Sequence, residues 1–193
     1  MDNTNDAPTI TSDPDIVATQ GVLYTYNITT YEPQGDTVSI SGATVPVWLT
    51  LTDNGNGTAT LSGTPGNVNV GDNAVELTVS DGSLSDTQSF TITVANAPDA
   101  PSFTSTPVTT AAQNVTYTYN VTATDPDAGA TLTITAPTLP AWLTLTDNGD
   151  GTATLSVRPC DKVVGYNGVH LSVSVGGVSA TQDFKITVAA DAS

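Results

Sequence analysis

Residues 46–62 read PVWLTLTDNGNGTATLS, and residues 140–156 read PAWLTLTDNGDGTATLS. The two stretches differ at two of seventeen positions and lie 94 residues apart. The same shift relates Thr87-Gln88 to Thr181-Gln182, and a shift of 93 relates YTYN at residue 24 to YTYN at residue 117. The repeat predicts a tandem array of two domains, residues 1–96 and 97–193, each of a size that folds independently.

Polar and apolar residues alternate along several stretches of each half. Tyr24, Tyr26 and Ile28 alternate with polar residues, and so do the apolar residues of 75–79 and 90–94. A period of two predicts β-strands, and no stretch has helical spacing. The sequence DNGNG at 53–57 predicts a hairpin turn, because Asn and Gly tolerate positive φ. We therefore expect an all-β chain of two antiparallel β-sandwiches, with six or seven short strands in each.

The composition limits the partners and the compartment. Nineteen acidic and three basic residues give a formal net charge of −16, which repels nucleic acid. The chain contains no apolar run of bilayer length, so no membrane insertion is expected. Met1–Asp6 lacks the features of a signal peptide, so we expect any export signal to lie elsewhere in a longer chain. The single cysteine, Cys160, excludes an intramolecular disulfide, and the Thr, Asn, Asp and Gly content favours a secreted or cell-surface protein.

Several short motifs resemble known repeats. NDAP at 5–8, VSDG at 79–82 and TDPD at 124–127 resemble cadherin-type repeats. PVWL at 46–49, followed by LSGTP at 61–65, is similar to the dystroglycan-type, immunoglobulin-like repeats of large bacterial surface proteins. The resemblance implies two tandem Ig-like, cadherin-like β-sandwiches. It also implies a non-catalytic extender or adhesion module whose partners are neighbouring repeats of the same chain.

The cadherin resemblance further implies that acidic loops bind Ca²⁺. The implied ligands are Asn96, Asp99, Asp125 and Asp127 for the second unit, and Asp6, Glu32, Asp36 and Asp81 for the first. Neither set is complete, because Val175 replaces the Asp of the last hairpin in unit 2 and Glu32-Pro-Gln34 replaces the Asp-x-Asp pair in unit 1. Two interpretations stay open: calcium ligands, or solvated loop acids that form Asx-turns.

Two tryptophans and one histidine are candidates for binding or catalysis. Trp48 and Trp142 could stack on sugars, but each precedes an alternating Leu-Thr-Leu run, which favours packing. His170 occupies an outward strand position and has no recognisable Ser or Asp partner, so we predict no enzyme activity. An alternative to the extender is therefore a carbohydrate- or protein-binding module that uses loop or Trp surfaces, with a glycan or protein ligand as its partner.

One segment departs from the repeat. Residues 62–72 read SGTPGNVNVGD, whereas residues 156–166 read SVRPCDKVVGY and contain two of the three basic residues. Two interpretations are a specialised surface, such as a ligand edge or a dimer contact through Cys160, and drift in a terminal repeat.

Overall fold

The chain contains two compact units, Met1–Ala97 and Pro98–Ser193. This division comes from a computed structural model that describes residues 4–160 and 163–190. The boundary lies one residue beyond the one expected from the sequence. Asp161 and Lys162 of the divergent segment lie outside the described residues.

Unit 1 contains two four-stranded sheets. Its strands are β1 (Thr9–Ile10), β2 (Val17–Thr19), β3 (Tyr24–Tyr31), β4 (Ser39–Thr44), β5 (Leu49–Asp53), β6 (Thr58–Gly63), β7 (Gly71–Ser80) and β8 (Ser85–Ala95), with a 3-10 turn at Asn67–Asn69. The sheet orders are β1-β3-β6-β5 and β2-β8-β7-β4.

Unit 2 repeats this arrangement. Its strands are β9 (Ser102–Phe103), β10 (Thr110–Ala112), β11 (Tyr117–Thr124), β12 (Thr133–Thr138), β13 (Thr144–Asp147), β14 (Thr152–Val157), β15 (Gly165–Val175) and β16 (Val178–Ala189). The sheet orders are β9-β11-β14-β13 and β10-β16-β15-β12.

Each unit has its own apolar core between its two sheets. The alternating residues of β3, β6, β7 and β8 point inward, and Leu61, Leu77 and Ile92 are completely buried. Their equivalents Leu155, Leu171 and Ile186 are completely buried in unit 2. Each such side chain contributes about 1.5–3 kcal/mol relative to an exposed one, so these positions provide much of the stability.

The predicted hairpin turn is present and also links the two sheets. Gly57 has φ of 78°, and the Gly55 N–H donates to Asp53 Oδ1 at 2.9 Å. The second oxygen, Asp53 Oδ2, accepts a hydrogen bond of 2.9 Å from the Ile40 N–H of β4. Asp147 makes the equivalent bonds in unit 2, at 3.1 and 3.0 Å.

The all-β prediction is confirmed, but the strand number was too low. Eight strands are described in each unit, whereas six or seven were expected. The additional strands include β1, β2, β9 and β10, which have only two or three residues and therefore show no periodicity. β2 is also parallel to β8, so the sandwich is not wholly antiparallel. Within the residues described, no helix has the length and apolarity needed to cross a membrane.

Candidate metal site

The loop after β11 places two predicted ligands of unit 2 side by side. The Asp127 N–H donates to Asp125 Oδ1 at 2.8 Å, and the Asp99 N–H donates to Asp127 Oδ2 at 2.9 Å. The other two oxygens, Asp125 Oδ2 and Asp127 Oδ1, are buried and have no hydrogen-bond partner among the described residues. The fold thus brings Asp99, Asp125 and Asp127 together and leaves two carboxylate oxygens unsatisfied.

In unit 1, Asp81 is held by hydrogen bonds in the β7–β8 hairpin. Its Oδ1 accepts from the Ser83 and Leu84 N–H groups, each at 2.7 Å, and its Oδ2 accepts from Asn5 Nδ2 at 2.9 Å. The bonds from Leu84, Ser83 and Asn5 favour the ionised form and lower the pKa of the Asp81 carboxyl below its ordinary value. Asp81 therefore forms an Asx-turn, as one of the two interpretations anticipated.

The other predicted ligands of unit 1, Asp6, Glu32 and Asp36, lie at the same end of the unit as Asp81. Gln34 Nε2 donates to Asp6 Oδ2 at 2.8 Å, and the Asp36 N–H donates to Glu32 Oε2 at 2.7 Å. Glu32 Oε1 is buried without a hydrogen-bond partner among the described residues. A shallow cavity of about 300 Å³ is lined by Asn5, Gln34, Asp36, Asp81 and Ser83. The N-terminal segment, the β3–β4 loop and the β7–β8 hairpin therefore converge.

Asn96, the remaining implied ligand of the unit 2 set, is exposed and follows the end of β8 in unit 1. In the described part of the chain, no three His, Cys, Asp or Glu side chains are arranged to hold a metal ion.

Both Trp side chains pack against their own unit, as predicted. Trp48 Nε1 donates to Asn73 Oδ1 at 3.0 Å, and its ring meets Tyr24 edge-on with centroids 5.9 Å apart. Trp142 Nε1 donates to Asn167 Oδ1 at 2.9 Å. Both N–H groups are bonded within their own unit and both indoles pack against its core, so each indole helps to fix the strand that follows it.

His170 has a partner that the sequence did not reveal. Its Nδ1 lies 2.5 Å from Asp183 Oδ1, on the outward face of β15 and β16. The equivalent positions in unit 1 are Glu76 and Ser89, so the repeat gave no indication of a pair. The register of the β15–β16 hairpin places residue 170 opposite residue 183, and a prediction of that register would have revealed the pair. Cys160 is an exposed free thiol.

Comparison with known proteins identifies the fold. Residues 7–95 match the family model Putative Ig domain. Human protocadherin-24 EC1-2 is similar with a TM-score of 0.63 and 14% identity, over 96% of this chain and 100% of that one. No curated protein matches the chain.

Two further solved structures are similar at lower TM-scores. The titin domains Z1Z2 in complex with telethonin have a TM-score of 0.44 and 15% identity, over 97% of this chain and 99% of that one. The endo-fucoidan hydrolase MfFcnA4 of glycoside hydrolase family 107 has a TM-score of 0.46 and 29% identity over 96% of this chain. The present chain spans 29% of that hydrolase.

The family match covers one repeat, and the internal repeat extends the fold to the other. Residues 7–95 coincide with unit 1, and unit 2 has the same strand order. Ig-like domains of this kind are typically non-catalytic. The chain is therefore a tandem pair of Ig-like, cadherin-like β-sandwich repeats, the first of which matches this family model.

Proposed function

We propose that this chain is a non-catalytic, extracellular extender and adhesion segment of a large bacterial surface protein, stiffened by calcium. The observation that carries the proposal is the parallel pairing of the first and last strands of one sheet in each unit. In unit 1, β2 runs parallel to β8 and pairs Val17 with Thr93, Ala18 with Val94 and Thr19 with Ala95.

This pairing determines how each unit resists tension. The chain passes from the two-residue strand β1 into the amino end of β2, and it leaves unit 1 at the carboxyl end of β8. Because the two strands are parallel, pulling on the ends slides them along each other. All hydrogen bonds between them then bear the load at once, whereas an antiparallel hairpin pulled at its open end loses one pair at a time. Parallel terminal strands suit a segment that must remain folded under tension.

Unit 2 has the same parallel pairing. β10 runs parallel to β16 and pairs Thr110 with Thr187, Ala111 with Val188 and Ala112 with Ala189. Backbone bonds continue on either side, because the Thr187 N–H donates to Thr109 O and the Gln113 N–H donates to Ala189 O, both at 2.9 Å. Two such units in series support the role of a load-bearing spacer.

The calcium part of the proposal rests on the acidic end of unit 2. Buried carboxylate oxygens without partners are costly, and an ion supplies the missing interaction. Asp125 Oδ2 and Asp127 Oδ1 are such atoms, so these two residues supply some of the oxygen ligands that a hard cation needs. Asp125 and Asp127 would hold the ion, and the Asp99 N–H, which donates to Asp127 Oδ2, orients the Asp127 carboxylate. Ca²⁺ accepts six to eight oxygen ligands and neutralises the carboxylates that surround it.

Unit 1 offers a second, weaker group. Glu32 Oε1 is its buried and unpaired oxygen, and Asp36 lines the neighbouring cavity. Asp81 already accepts three hydrogen bonds, so an ion there would have to compete with them. We therefore place the stronger calcium site in unit 2.

Thermal melting of the two-unit chain in calcium and in EDTA tests the ion site. An ion present at a hundred times its Kd adds about 2.7 kcal/mol to the stability of the folded state. Unit 2 should melt at a higher temperature in calcium, and magnesium should be a poor substitute because it demands a tighter octahedron. The double variant Asp125→Asn with Asp127→Asn should lose the shift.

A matched control separates calcium binding from the loss of charge. Asp150→Asn removes one carboxylate from unit 2 and installs the residue that unit 1 has at the equivalent position, Asn56. Asn can still accept the bonds that Asp150 receives from Thr152. This variant should keep the calcium shift. Identical melting of the parent chain in calcium and EDTA would reject the ion site and leave the mechanical role to be tested separately.

A further inference from the structure

The long hairpin β7–β8 of unit 1 and its equivalent β15–β16 in unit 2 have different outward faces. The inward residues of β7 and β8 from Val75 to Val79 and from Gln88 to Val94 are the same in β15 and β16. On the outward face, five residues change within three successive cross-strand pairs. These changes are Asp72 to Tyr166, Ala74 to Gly168, Glu76 to His170, Ser89 to Asp183 and Thr91 to Lys185.

The rest of this face is nearly unchanged. Beyond the three pairs, the outward pair Ser80–Ser85 is repeated as Ser174–Ser179, and Thr78–Thr87 becomes Ser172–Thr181. Within the hairpin, the non-conservative changes therefore lie in three adjacent pairs and give unit 2 a surface that the hairpin of unit 1 lacks.

The changed residues form a shallow site on a rigid sheet. A cavity of about 590 Å³ is lined by Thr138, Gly168, His170, Asp183 and Lys185, together with Val169 and Phe184 beneath. Tyr166 precedes Gly168 by two residues on the same face, and its side chain is 82% exposed. Gly168 leaves a gap, because a Cβ there would meet nothing within 4 Å.

The polar groups of the site are free to bind a ligand, and one of them is held in a fixed orientation. Asp183 holds the imidazole of His170 through Nδ1, and Nε2 makes no hydrogen bond within the part of the chain that the structure describes. Lys185 forms no ion pair among the described residues. The site therefore offers an ammonium group, a fixed imidazole nitrogen and a carboxylate beside an exposed aromatic ring.

These charges select the ligand class. A polyanion would be repelled by the net charge of −16 and by Asp183, whereas a basic peptide would meet Lys185 and His170. A neutral sugar satisfies the whole set, because its C–H face stacks on a tyrosine ring while its hydroxyls both donate and accept hydrogen bonds. Tyr166 and His170 are four residues apart, about 13 Å along the strand, which leaves room for more than one ring.

We propose that the outward face of β15 and β16 in unit 2 binds a neutral oligosaccharide, with Tyr166 as the stacking platform and His170, Asp183 and Lys185 as hydrogen-bonding groups. This site is separate from the acidic loops, and it requires neither calcium nor the mechanical role.

Titration calorimetry of the two-unit chain tests the proposal with cellohexaose, xylohexaose, mannohexaose and laminarihexaose, and with tetragalacturonate as the anionic probe. At least one neutral hexasaccharide should bind with a Kd between about 10 µM and 1 mM, and tetragalacturonate should bind more weakly. Tyr166→Ala should weaken binding by about tenfold or more. Asp72→Ala, the equivalent change in unit 1, should leave binding unchanged.

Gly168→Val separates the binding site from the fold. A β-branched residue suits a strand and finds open space at this position, so the melting temperature should stay the same or rise. The added side chain fills the gap between Tyr166 and His170, so binding should be lost. Unchanged affinity of Tyr166→Ala, retained binding by Gly168→Val, a preference for tetragalacturonate, or no binding of any of the four neutral probes would overturn the proposal.

A transplant into unit 1 provides a gain-of-function test. The changes are Asp72→Tyr, Ala74→Gly, Glu76→His, Ser89→Asp and Thr91→Lys. Because the inward residues are already the same, the transplanted chain should bind two molecules of the neutral ligand where the parent binds one. An unchanged stoichiometry in a folded transplant would contradict the assignment of these five residues.

Discussion

Gly63 shows how one residue sets the length of a strand. A Cβ at Gly63 would lie 1.9 Å from the carbonyl oxygen of Trp48, so only glycine allows this approach. In unit 1, β5 begins at Leu49, which pairs with Gly63. Unit 2 has Val157 at the equivalent position, and β13 begins one residue later, at Thr144. The side chain of Val157 thus accounts for the loss of one cross-strand pair.

Gly63→Val should therefore destabilise unit 1. Overpacking of this kind costs about 1–3 kcal/mol, because the backbone at Trp48 must move. Urea unfolding followed by Trp48 fluorescence, with Trp142 replaced by Phe, would report unit 1 alone. The reverse change, Val157→Gly, introduces no clash and should cost less. Equal stability of the Gly63→Val variant and its parent would refute this explanation.

Two buried tyrosines should make stability depend on high pH. Burial raises the pKa of Tyr24 and of Tyr117 from 10.0 to about 12, and the Asp15 charge adds to the effect at Tyr24. Below pH 10 both hydroxyls are neutral in the folded and unfolded chain. Above it, the unfolded chain ionises first, so the free energy of unfolding should fall as the pH rises from about 10 to about 12.

Urea unfolding across this pH range measures the effect. In the double variant Tyr24→Phe with Tyr117→Phe, the free energy of unfolding should fall less over this pH range. Tyrosinate absorbance of the native parent should show two hydroxyls that ionise late. Ionisation of every tyrosine near pH 10 in the folded chain would contradict the expected shift.

At the scale of single residues, some contacts of the acidic loops could be predicted from the sequence, whereas the contact of His170 with Asp183 could not. The proximity of Asp125 and Asp127 follows from their spacing, because an Asp-x-Asp loop allows a carboxylate to accept from a backbone N–H two residues on. The Asp81 turn follows from the Asp-Gly sequence for the same reason. Asp183 could not be assigned to His170 from local sequence, because their contact depends on the register of two long strands.

At the scale of elements, a tyrosine hydroxyl connects three parts of each unit. In unit 1, Tyr26 of β3 donates to the carbonyl of Ser12, at 2.8 Å, and lies 2.9 Å from Oε1 of Gln88 in β8. Gln88 Nε2 also donates to Ser12 O at 2.8 Å. Tyr119, Ser105 and Gln182 form the same group in unit 2. The bonds anchor the segment before β2, where tension would enter the unit.

Tyr26→Phe should loosen this anchor. The change removes the hydroxyl's bond to Ser12 and leaves the part-buried Gln88 Oε1 without its partner, which costs about 1–3 kcal/mol. Denaturant unfolding of unit 1 would show the loss, and hydrogen exchange should rise most in β2. Thr25→Val, on the exposed side of the same strand, is the matched control and should have little effect. A variant as stable as its parent would show that the hydroxyl is not an anchor.

The longer elements were predictable and the short ones were not. β3, β7 and β8 have eight to eleven residues with clear alternation, and the β5–β6 hairpin has a strong turn sequence. β1 and β2 are too short to show a period, and their pairing depends on where the rest of the sheet lies. β4 and β12 contain irregular pairing between Gly42 and Thr44 and between Thr135 and Thr138, which interrupts the alternation.

At the scale of the whole molecule, the internal repeat separates fold from function. Both units preserve the inward residues of β7 and β8 from Val75 to Val79 and from Gln88 to Val94, and they preserve the hairpin turn, which is why the fold could be predicted from one chain. The outward faces differ, and periodicity says nothing about what a solvent-facing residue does. Charge is unequal too: residues 1–97 contain eleven acidic and no basic residues, whereas residues 98–193 contain eight acidic residues and all three basic ones. A distinct surface role therefore belongs to unit 2.

Single-molecule stretching of the chain by its two ends tests the mechanical role most directly. Two discrete unfolding events of nearly equal length are expected, each at high force, because β2 and β10 are loaded in shear. The comparison is the same chain, with Cys160 replaced by Ser, held by cysteines introduced at Asp72 and Ala95. That geometry peels β7 from β8 one pair at a time and should require much less force. If stretching by the ends needs no more force than peeling the hairpin, the parallel terminal strands bear no load and the extender role is contradicted.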